Sequence, residues 1–417
     1  MQGDFLSFLI RVLIILSISL LVDAYFYQAI LNLIKDYTPS KKLLFNLLYW
    51  SLTAFTVTIF IITLLYPLPL WPKTLRVYIT AVVFIAFFSK LLGSIFVLID
   101  DLWRGGQWIS QFIKPSESTY NPSRSKFLTN TALVFAGIPF VSMLYGMVKT
   151  AFDFTVRKEV VKLPNLPASF DGLKIVQISD IHAGSFTSTN PFEKAIKLIH
   201  EQKPDLVFFT GDLVNNIADE VDDYIQVLST ITAPMGVYSV LGNHDYGDYM
   251  QWETKNQKVK NLEKLKATHG KMGWKLLLNE FVPLEKGADK IALIGVENWG
   301  KGARWPKYGN LKKASEGSEN FPVKLLLSHD PSHWDAVVRK NHPDIDITFS
   351  GHTHGFQFGV EIPGIKWSPS KYLYPQWAGL YTEGAQHIYV NRGFGFLGYP
   401  GRVGIKPEIT VVELRKG

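Results

Sequence analysis

The sequence predicts an α-helical transmembrane region of about four spans followed by an α/β domain. Residues 1–150 form the membrane region, 151–171 a linker and 172–417 the globular domain. Three observations carry this reading. Hydrophobic residues make up 47% of the 417, yet nearly all long apolar runs fall before about residue 150. Past residue 172, short β-rich apolar runs alternate with helix-like stretches. Five of those runs end in Asp, His or Asn.

A bilayer-crossing helix needs about 20 predominantly apolar residues. The first run covers 5–22 and can continue to 34, interrupted by Arg11 and Asp23. The second covers 44–70, the third 77–99 with Lys90 inside it, and the fourth 131–148 with Pro139. Arg11 and Asp23 are placed near interfaces, so no cluster of intramembrane charge marks a transport path. Trp50, Trp71 and Trp103 are expected in interfacial belts. A cleavable signal peptide would account for the first run alone.

Four spans put both termini on one side, and the basic residues do not decide which. Lys35, Lys41, Lys42, Arg104, Lys114, Arg124 and Lys126 on one side face Lys73, Arg76, Lys149, Arg157, Lys158 and Lys162 on the other. The stretch SRSKFL at 123–128 resembles a degraded twin-arginine export signal, with Ser125 in place of the second arginine. On that reading the globular domain lies outside a bacterial cytoplasmic membrane; the alternative is an ordinary basic flank on a membrane helix.

The net charge of +7 suits headgroup contact at the flanks of the spans. No dense basic and aromatic stripe points to nucleic acid, and none is expected as a partner. The chain has no cysteine, which excludes disulfides, thiolate metal sites and cysteine nucleophiles.

In the second half, LKIVQISD, DLVFFTGD, GVYSVLGNHD, VKLLLSHD and IDITFSGHTH read as buried strands. NPFEKAIKLIHEQ and DEVDDYIQVLSTI read as covering helices, giving a largely β-α-β-α order. IALIGVEN and EITVVEL add strands. Polar chemistry sits just past each strand's carboxyl end, the edge where open α/β sheets bind ligands. Asp180 and His182 are two residues apart, as are His352 and His354; Asp212, Asn243 and His329 complete the set. Carboxylate, imidazole and amide donors of this kind suit divalent Mn, Fe, Zn, Co or Mg. A lone His or Asp at a strand end is usually a cap or a surface residue. Seven together are not.

The succession DIH, GDLVNN, GNHD, SHD and GHTH resembles the calcineurin-like metallophosphoesterase superfamily over about residues 173–414. The closing YVNRGFGFLGYPGRVGIKPEITVVEL is similar to a branch of membrane-associated phosphohydrolases of the YkuE and YaeI type. The whole chain also resembles transmembrane proteins with a metallophosphoesterase domain. The resemblance implies a β-sandwich flanked by helices and two divalent metal ions. Asp180, His182 and His354 would hold the first, Asn243, His329 and His352 the second, and Asp212 would bridge them. It further implies attack on phosphorus by a metal-bridging hydroxide, with His244 as the acid for the leaving group. Asp245 could hold the His244 ring in its useful tautomer, a turn or helix cap being the alternative.

Arg392 and Arg402 could clamp a substrate phosphate, a structural salt bridge being the alternative for at least one. His200, His269, His333, His342 and His387 have no partner spacing. The insert 299–320, with Trp299 and Trp305, reads as a lid or membrane-touching loop, or as a solvated excursion. The substrate is expected to be a phosphate ester or pyrophosphate, small or lipid-linked, for example a nucleotide-linked diacylated sugar. A soluble-nucleotide phosphodiesterase is a second reading. A receptor or transport component with a phosphoesterase-like domain is a third, disfavoured by an intact donor set.

Overall fold

A computed structural model describes residues 2–66, 68, 71–113, 122–302 and 306–417. Lys114, Trp305 and part of the expected second span (67, 69 and 70) lie outside the described residues. The chain divides into two compact units, Met1–Tyr145 and Gly146–Gly417.

The first unit is built from α1 (Gln2–Ile34), α2 (Pro39–Leu65), α3 (Lys73–Ile113) and α4 (Pro122–Val148). All four are long and apolar enough to cross a membrane. Large apolar side chains such as Leu47, Leu102, Ile138 and Val141 face outward, as a lipid-facing surface requires. Small residues bring the helices together. A side chain at Gly93 would collide with the Phe26 ring and the Ala132 carbonyl, so α1, α3 and α4 meet at a point only glycine permits. Pro139 sits inside α4 without ending it.

Asp23 does not lie near an interface as expected; it is buried near the middle of the Leu9–Ile34 span. A buried carboxylate needs a partner, and it has two: Lys90 Nζ at 2.8 Å and Thr53 Oγ1 at 2.5 Å. The stretch 123–128 starts α4, where Ser125 donates to Asp100 at 3.0 Å and Arg124 pairs with the same carboxylate at 3.4 Å. Trp103 lies within α3 rather than at its end, and Trp71 is buried with Nε1 donating to the Tyr66 carbonyl.

The second unit stacks two six-stranded sheets. One holds β1 (Thr155–Leu163), β2 (Leu173–Ile178), β3 (Leu206–Phe209), β4 (Val237–Ser239), β5 (Lys275–Leu276) and β14 (Glu408–Lys416), in the order β1-β14-β2-β3-β4-β5. The other holds β6 (Glu280–Lys286), β7 (Asp289–Gly295), β8 (Lys324–Leu327), β9 (Ile347–Ser350), β12 (Gly379–Glu383) and β13 (Gln386–Val390), in the order β12-β13-β9-β8-β7-β6. A short ribbon, β10 (Val360–Ile362) with β11 (Ile365–Trp367), stands apart from both.

Runs such as LVFF in β3 and KLLL in β8 are buried on both faces because each sheet is covered twice. Ile175, Phe208 and Val412 of one sheet meet Leu293, Leu325 and Phe349 of the other, so the layer between the sheets is apolar. Outside the first sheet lie α5 (Asn190–Glu201), α6 (Ile225–Leu228) and α7 (Lys255–Lys271). Outside the second lies α8 (Leu311–Ser315). This is the helix-flanked β-sandwich. The stretch read as a second covering helix is mostly 3-10, from Ala218 to Tyr224, with one α turn after it.

Residues 151–171 are not a free linker. They carry β1, hydrogen-bonded parallel to β14 from Thr155 opposite Glu408 to Leu163 opposite Lys416.

Candidate metal centre

The parallel strands β2, β3 and β4 of one sheet, and β8 and β9 of the other, end at one edge of the sandwich, and the donors lie on the turns that follow. Those turns are bonded to one another. Asp180 N donates to the Gly211 carbonyl at 2.9 Å, His182 N to that of Asp212 at 3.1 Å, and Gly351 N to that of His329 at 2.9 Å. Two carboxylates join the network: Asp180 accepts from His352 N at 3.0 Å and Asp212 from His244 N at 2.9 Å.

The donors gather in two groups. Asp180, His182, Asp212 and His354 form the first, with Nε2 of His182 3.0 Å from Nε2 of His354 and Asp180 Oδ1 3.2 Å from the latter. Asp212, His329 and His352 form the second, with His329 Nε2 3.2 Å from Asp212 Oδ2. Asn243 Oδ1 joins it, 2.8 Å from His352 Nδ1 and 3.1 Å from His329 Nε2. Asp212 belongs to both groups. All seven expected ligands are therefore brought together, in the two sets that the resemblance implies.

The backbone is strained to do this. Asp180, His182, Asp212, His352 and His354 have φ of 53°, 49°, 59°, 70° and 50°. That left-handed region costs a non-glycine residue about 1–3 kcal/mol and persists where the surrounding structure over-determines it, as it does most often at functional sites.

The electrostatics fit a cation. Burial pulls His182 down to about 3 and lowers His352, which keeps both rings neutral, the form that donates a lone pair. Burial also opposes charge on His329, yet Asp212 and then Asp180 raise it to about 10. Although burial favours their neutral forms, the neighbouring histidines, chiefly His354 for Asp180 and His329 for Asp212, hold both carboxylates below the usual range. Positive charge is thus drawn to the spot between Asp212 and His329. A proton can supply it, and so can a divalent cation that displaces the proton. Buried convergent oxygen and imidazole donors are the set such cations take.

Around these donors lie groups that orient them. His329 Nδ1 donates to the Thr210 carbonyl at 2.7 Å, and His352 Nε2 meets the Tyr374 hydroxyl at 2.8 Å. Asp330 lies 3.7 Å from the same His352 nitrogen, and the Tyr249 hydroxyl accepts from Asn243 at 2.7 Å. None of these was read from the sequence. A carbonyl oxygen has no residue signature, and single tyrosines have no spacing.

His244 stands at the edge of the centre, its ring centroid 5.0 Å from that of His182. Its Nδ1 donates to the Asn215 carbonyl at 2.7 Å. The expected role of Asp245 in holding that ring is therefore corrected. The Asp245 carboxylate instead accepts from the backbone N–H groups of Asp212, Leu213, Val214 and Gly242. It fixes the Asp212 turn.

Arg392 and Arg402 are corrected likewise. Arg392 is buried between Glu408 at 2.5 Å and Glu361 at 2.8 Å. Arg402 is fully buried and donates to the carbonyls of Arg392, Gly393 and Gly395. With the two terminal nitrogens of Arg392 held by carboxylates and the guanidinium of Arg402 by carbonyls, neither presents a fork to a phosphate; they hold the closing segment in place.

None of the other described histidines belongs to either donor group. His200 meets the Thr230 carbonyl, and His269 and His333 are buried against Ser239 and Ser328. The described part of the insert packs on the domain: Tyr308 stacks on Tyr246 at 4.0 Å, and Trp299 packs against His333.

A family model described as "Calcineurin-like phosphoesterase" matches residues 173–356. One described as "Probable Calcineurin-like phosphoesterase, transmembrane domain" matches residues 7–151. The chain is 33% identical over 264 residues to the metallophosphoesterase YkuE of Bacillus subtilis, a match covering 62% of this chain and 84% of that one. It is 29% identical over 296 residues to the phosphodiesterase YaeI of Escherichia coli, covering 70% and 99%. It is 29% identical over 286 residues to the transmembrane protein with metallophosphoesterase domain of Danio rerio, covering 67% and 61%. Relatedness at this level along both units places the chain: it belongs to the calcineurin-like metallophosphoesterase family, as an integral membrane protein whose globular unit is a metal-dependent phosphoester hydrolase.

Proposed function

We propose that the chain hydrolyses a phosphate ester or pyrophosphate bond of an amphiphilic, lipid-linked substrate at a centre of two divalent cations. The observation that carries the two-cation reading is the sharing of Asp212 by both donor groups. Asp180, His182 and His354 would hold one ion, Asn243, His329 and His352 the other, with Asp212 common to both. When bound, two such ions supply Lewis acidity that activates water and neutralises phosphoryl oxygens. The chain's own part is positional. Thr210 and Tyr374 orient two of the imidazoles, and Asp245 fixes the turn bearing Asp212. With Nδ1–H committed to the Asn215 carbonyl, a second proton on His244 resides on Nε2, from which it passes to the leaving oxygen.

A lipid-linked substrate is supported by the four spans, which tether the chain to a bilayer. The name of the E. coli relative, a phosphodiesterase, supports a diester within the class. We place the globular unit on the non-cytoplasmic side of a bacterial cytoplasmic membrane, on the export-like stretch 123–128. A reporter fused after Gly417 and active only in the cytoplasm would overturn that placement.

The test of the chemistry is an assay of the purified full chain on aryl phosphate mono- and diesters with added Mn. Asp212→Asn is expected to lower turnover at least about 100-fold, and chelator to abolish it. Activity that survives both rules out the two-cation reading.

A further inference from the structure

Residues 356–374 reverse the usual order of inside and outside. Phe356, Phe358 and Val360 are exposed, while Gln357 and Gly359 between them are buried. The chain then enters the ribbon β10–β11, where Val360 is paired with Trp367 and Ile362 with Ile365. Side chains alternate along a strand and directly paired residues share a face. One face of the ribbon is therefore Val360, Ile362, Ile365 and Trp367.

The opposite face carries Glu361 and Lys366, and that polar face is the one tied to the domain. Glu361 accepts from Arg157 at 2.7 Å and from Arg392 at 2.8 Å, and Lys366 donates to the Ala378 carbonyl. The apolar face is left outward, with Ile362 and Ile365 56% and 54% exposed. Beyond the ribbon, Tyr372 and Leu373 are 71% and 65% exposed. A contiguous surface of this kind marks an interaction site.

Charge and position name what covers it. Trp367 and Tyr372 together with Lys371 make the mixture of amphipathic rings and cation that settles at headgroup level, and Lys371 lies over the Tyr372 ring. Glu361 is the one carboxylate in 356–374 and is neutralised within a cluster of Arg157, Arg392 and Glu408, so the two lysines of the stretch leave it net cationic, which complements anionic headgroups. The surface is also continuous with the metal centre. It begins two residues after His354 and ends at Tyr374, whose hydroxyl holds His352.

We propose that residues 356–374 form an interfacial docking surface for bilayer lipid. The ribbon tip sits at the boundary of headgroups and acyl chains, and the surface delivers the phosphate ester of a membrane lipid to the metal centre. Docking stands by itself; delivery rests on the phosphoesterase reading above.

The absence of native cysteine makes the test direct. Ile362→Cys and, as reference, Ala288→Cys in the turn between β6 and β7 are labelled with an environment-sensitive fluorophore. The full chain is reconstituted into phosphatidylcholine–phosphatidylglycerol vesicles with brominated acyl chains. Quenching at 362 well above that at 288 is expected. Equal quenching at the two positions overturns docking, as does shielding of 362 that brominated lipid does not quench, the outcome for a protein partner or a second copy. In a second arm, the Ile362→Asn/Ile365→Asn chain is assayed on soluble bis(p-nitrophenyl) phosphate and on hexadecyl p-nitrophenyl phosphate in mixed micelles. KM for the hexadecyl ester is expected to rise roughly tenfold, with kcat and soluble-ester hydrolysis unchanged. No change, or equal loss on both substrates, overturns delivery. If the unsubstituted chain cleaves neither ester, the phosphoesterase reading fails while the quenching result still decides docking.

Discussion

The carbonyl of Asn215 accepts from His244 Nδ1, so if His244 is the acid proposed above, Nε2 is the atom from which it would give up the proton. An acid of this kind matters most where the leaving oxygen is most basic. His244→Ala is therefore expected to slow hydrolysis of an alkyl phosphodiester by about 100-fold or more, and that of a p-nitrophenyl ester far less. Equal slowing on the two substrates would exclude His244 as the acid. The glycine beside it has a different task. A methyl group at Gly242 would collide with Asp212 Oδ1, so Gly242→Ala displaces the carboxylate common to both donor groups. Turnover is expected to fall by roughly 10–100-fold with the fold retained, as read by activity alongside a thermal melt. At this scale the sequence is legible where chemistry is carried by residue type. Asp180, His182 and the GHTH histidines announce themselves by spacing. The Asn215 and Thr210 carbonyls do not, since any residue supplies one. The arginines misled for the converse reason: Arg392 suits a phosphate by type, but Glu408 and Glu361 reach it first.

The strands that bear ligands are legible because both faces are covered, so their sequences run apolar without a break. β1 is not, because its TVRKEVVKL carries four charges and only its far end is buried. A sheet edge needs backbone pairing more than apolar side chains, and β14 provides it. The same contrast appears in the membrane helices. Their length and apolarity are plain, but the pairing of Asp23 with Lys90 joins residues 67 apart and depends on how α1 packs on α3. The pair makes its own prediction. Lys90→Met alone leaves Asp23 buried without its cation and is expected to destabilise the bundle by about 3–5 kcal/mol. The double replacement Asp23→Leu/Lys90→Met removes both charges and is expected to recover most of that loss. Unfolding of the full chain in mixed micelles measures both, and a double variant less stable than the single would refute a simple charge pair.

For the molecule as a whole, the same burial that shapes the metal centre also sets how stability depends on pH. His269 is fully buried, with Nδ1 at Ser239 Oγ and Nε2 unpartnered among the rings of Phe209 and Trp274. Burial pulls it down to about 3, against about 6.5 in an unfolded chain. The unfolded state therefore binds this proton first as pH falls. The stability tied to a neutral His269 is complete above about pH 6.5 and drains away towards pH 3, at about 1.4 kcal/mol per pH unit. His333, pulled down to about 4 by burial, acts in the same direction. The proposed ligands would respond differently, because a bound cation would compete with their protons. The His269 contribution is isolated by difference. With divalent cation held in excess, the unfolding free energy of the full chain and of His269→Leu is followed between pH 6.5 and 4. The variant is expected to show the shallower acid slope, by about 1.4 kcal/mol per unit. Because Leu also fills an apolar site whose polar Nε2 was unpartnered, the variant should lose little stability at neutral pH. Parallel slopes would show that His269 is not buried in its neutral form, and the packing of α7 on the first sheet would then need revision.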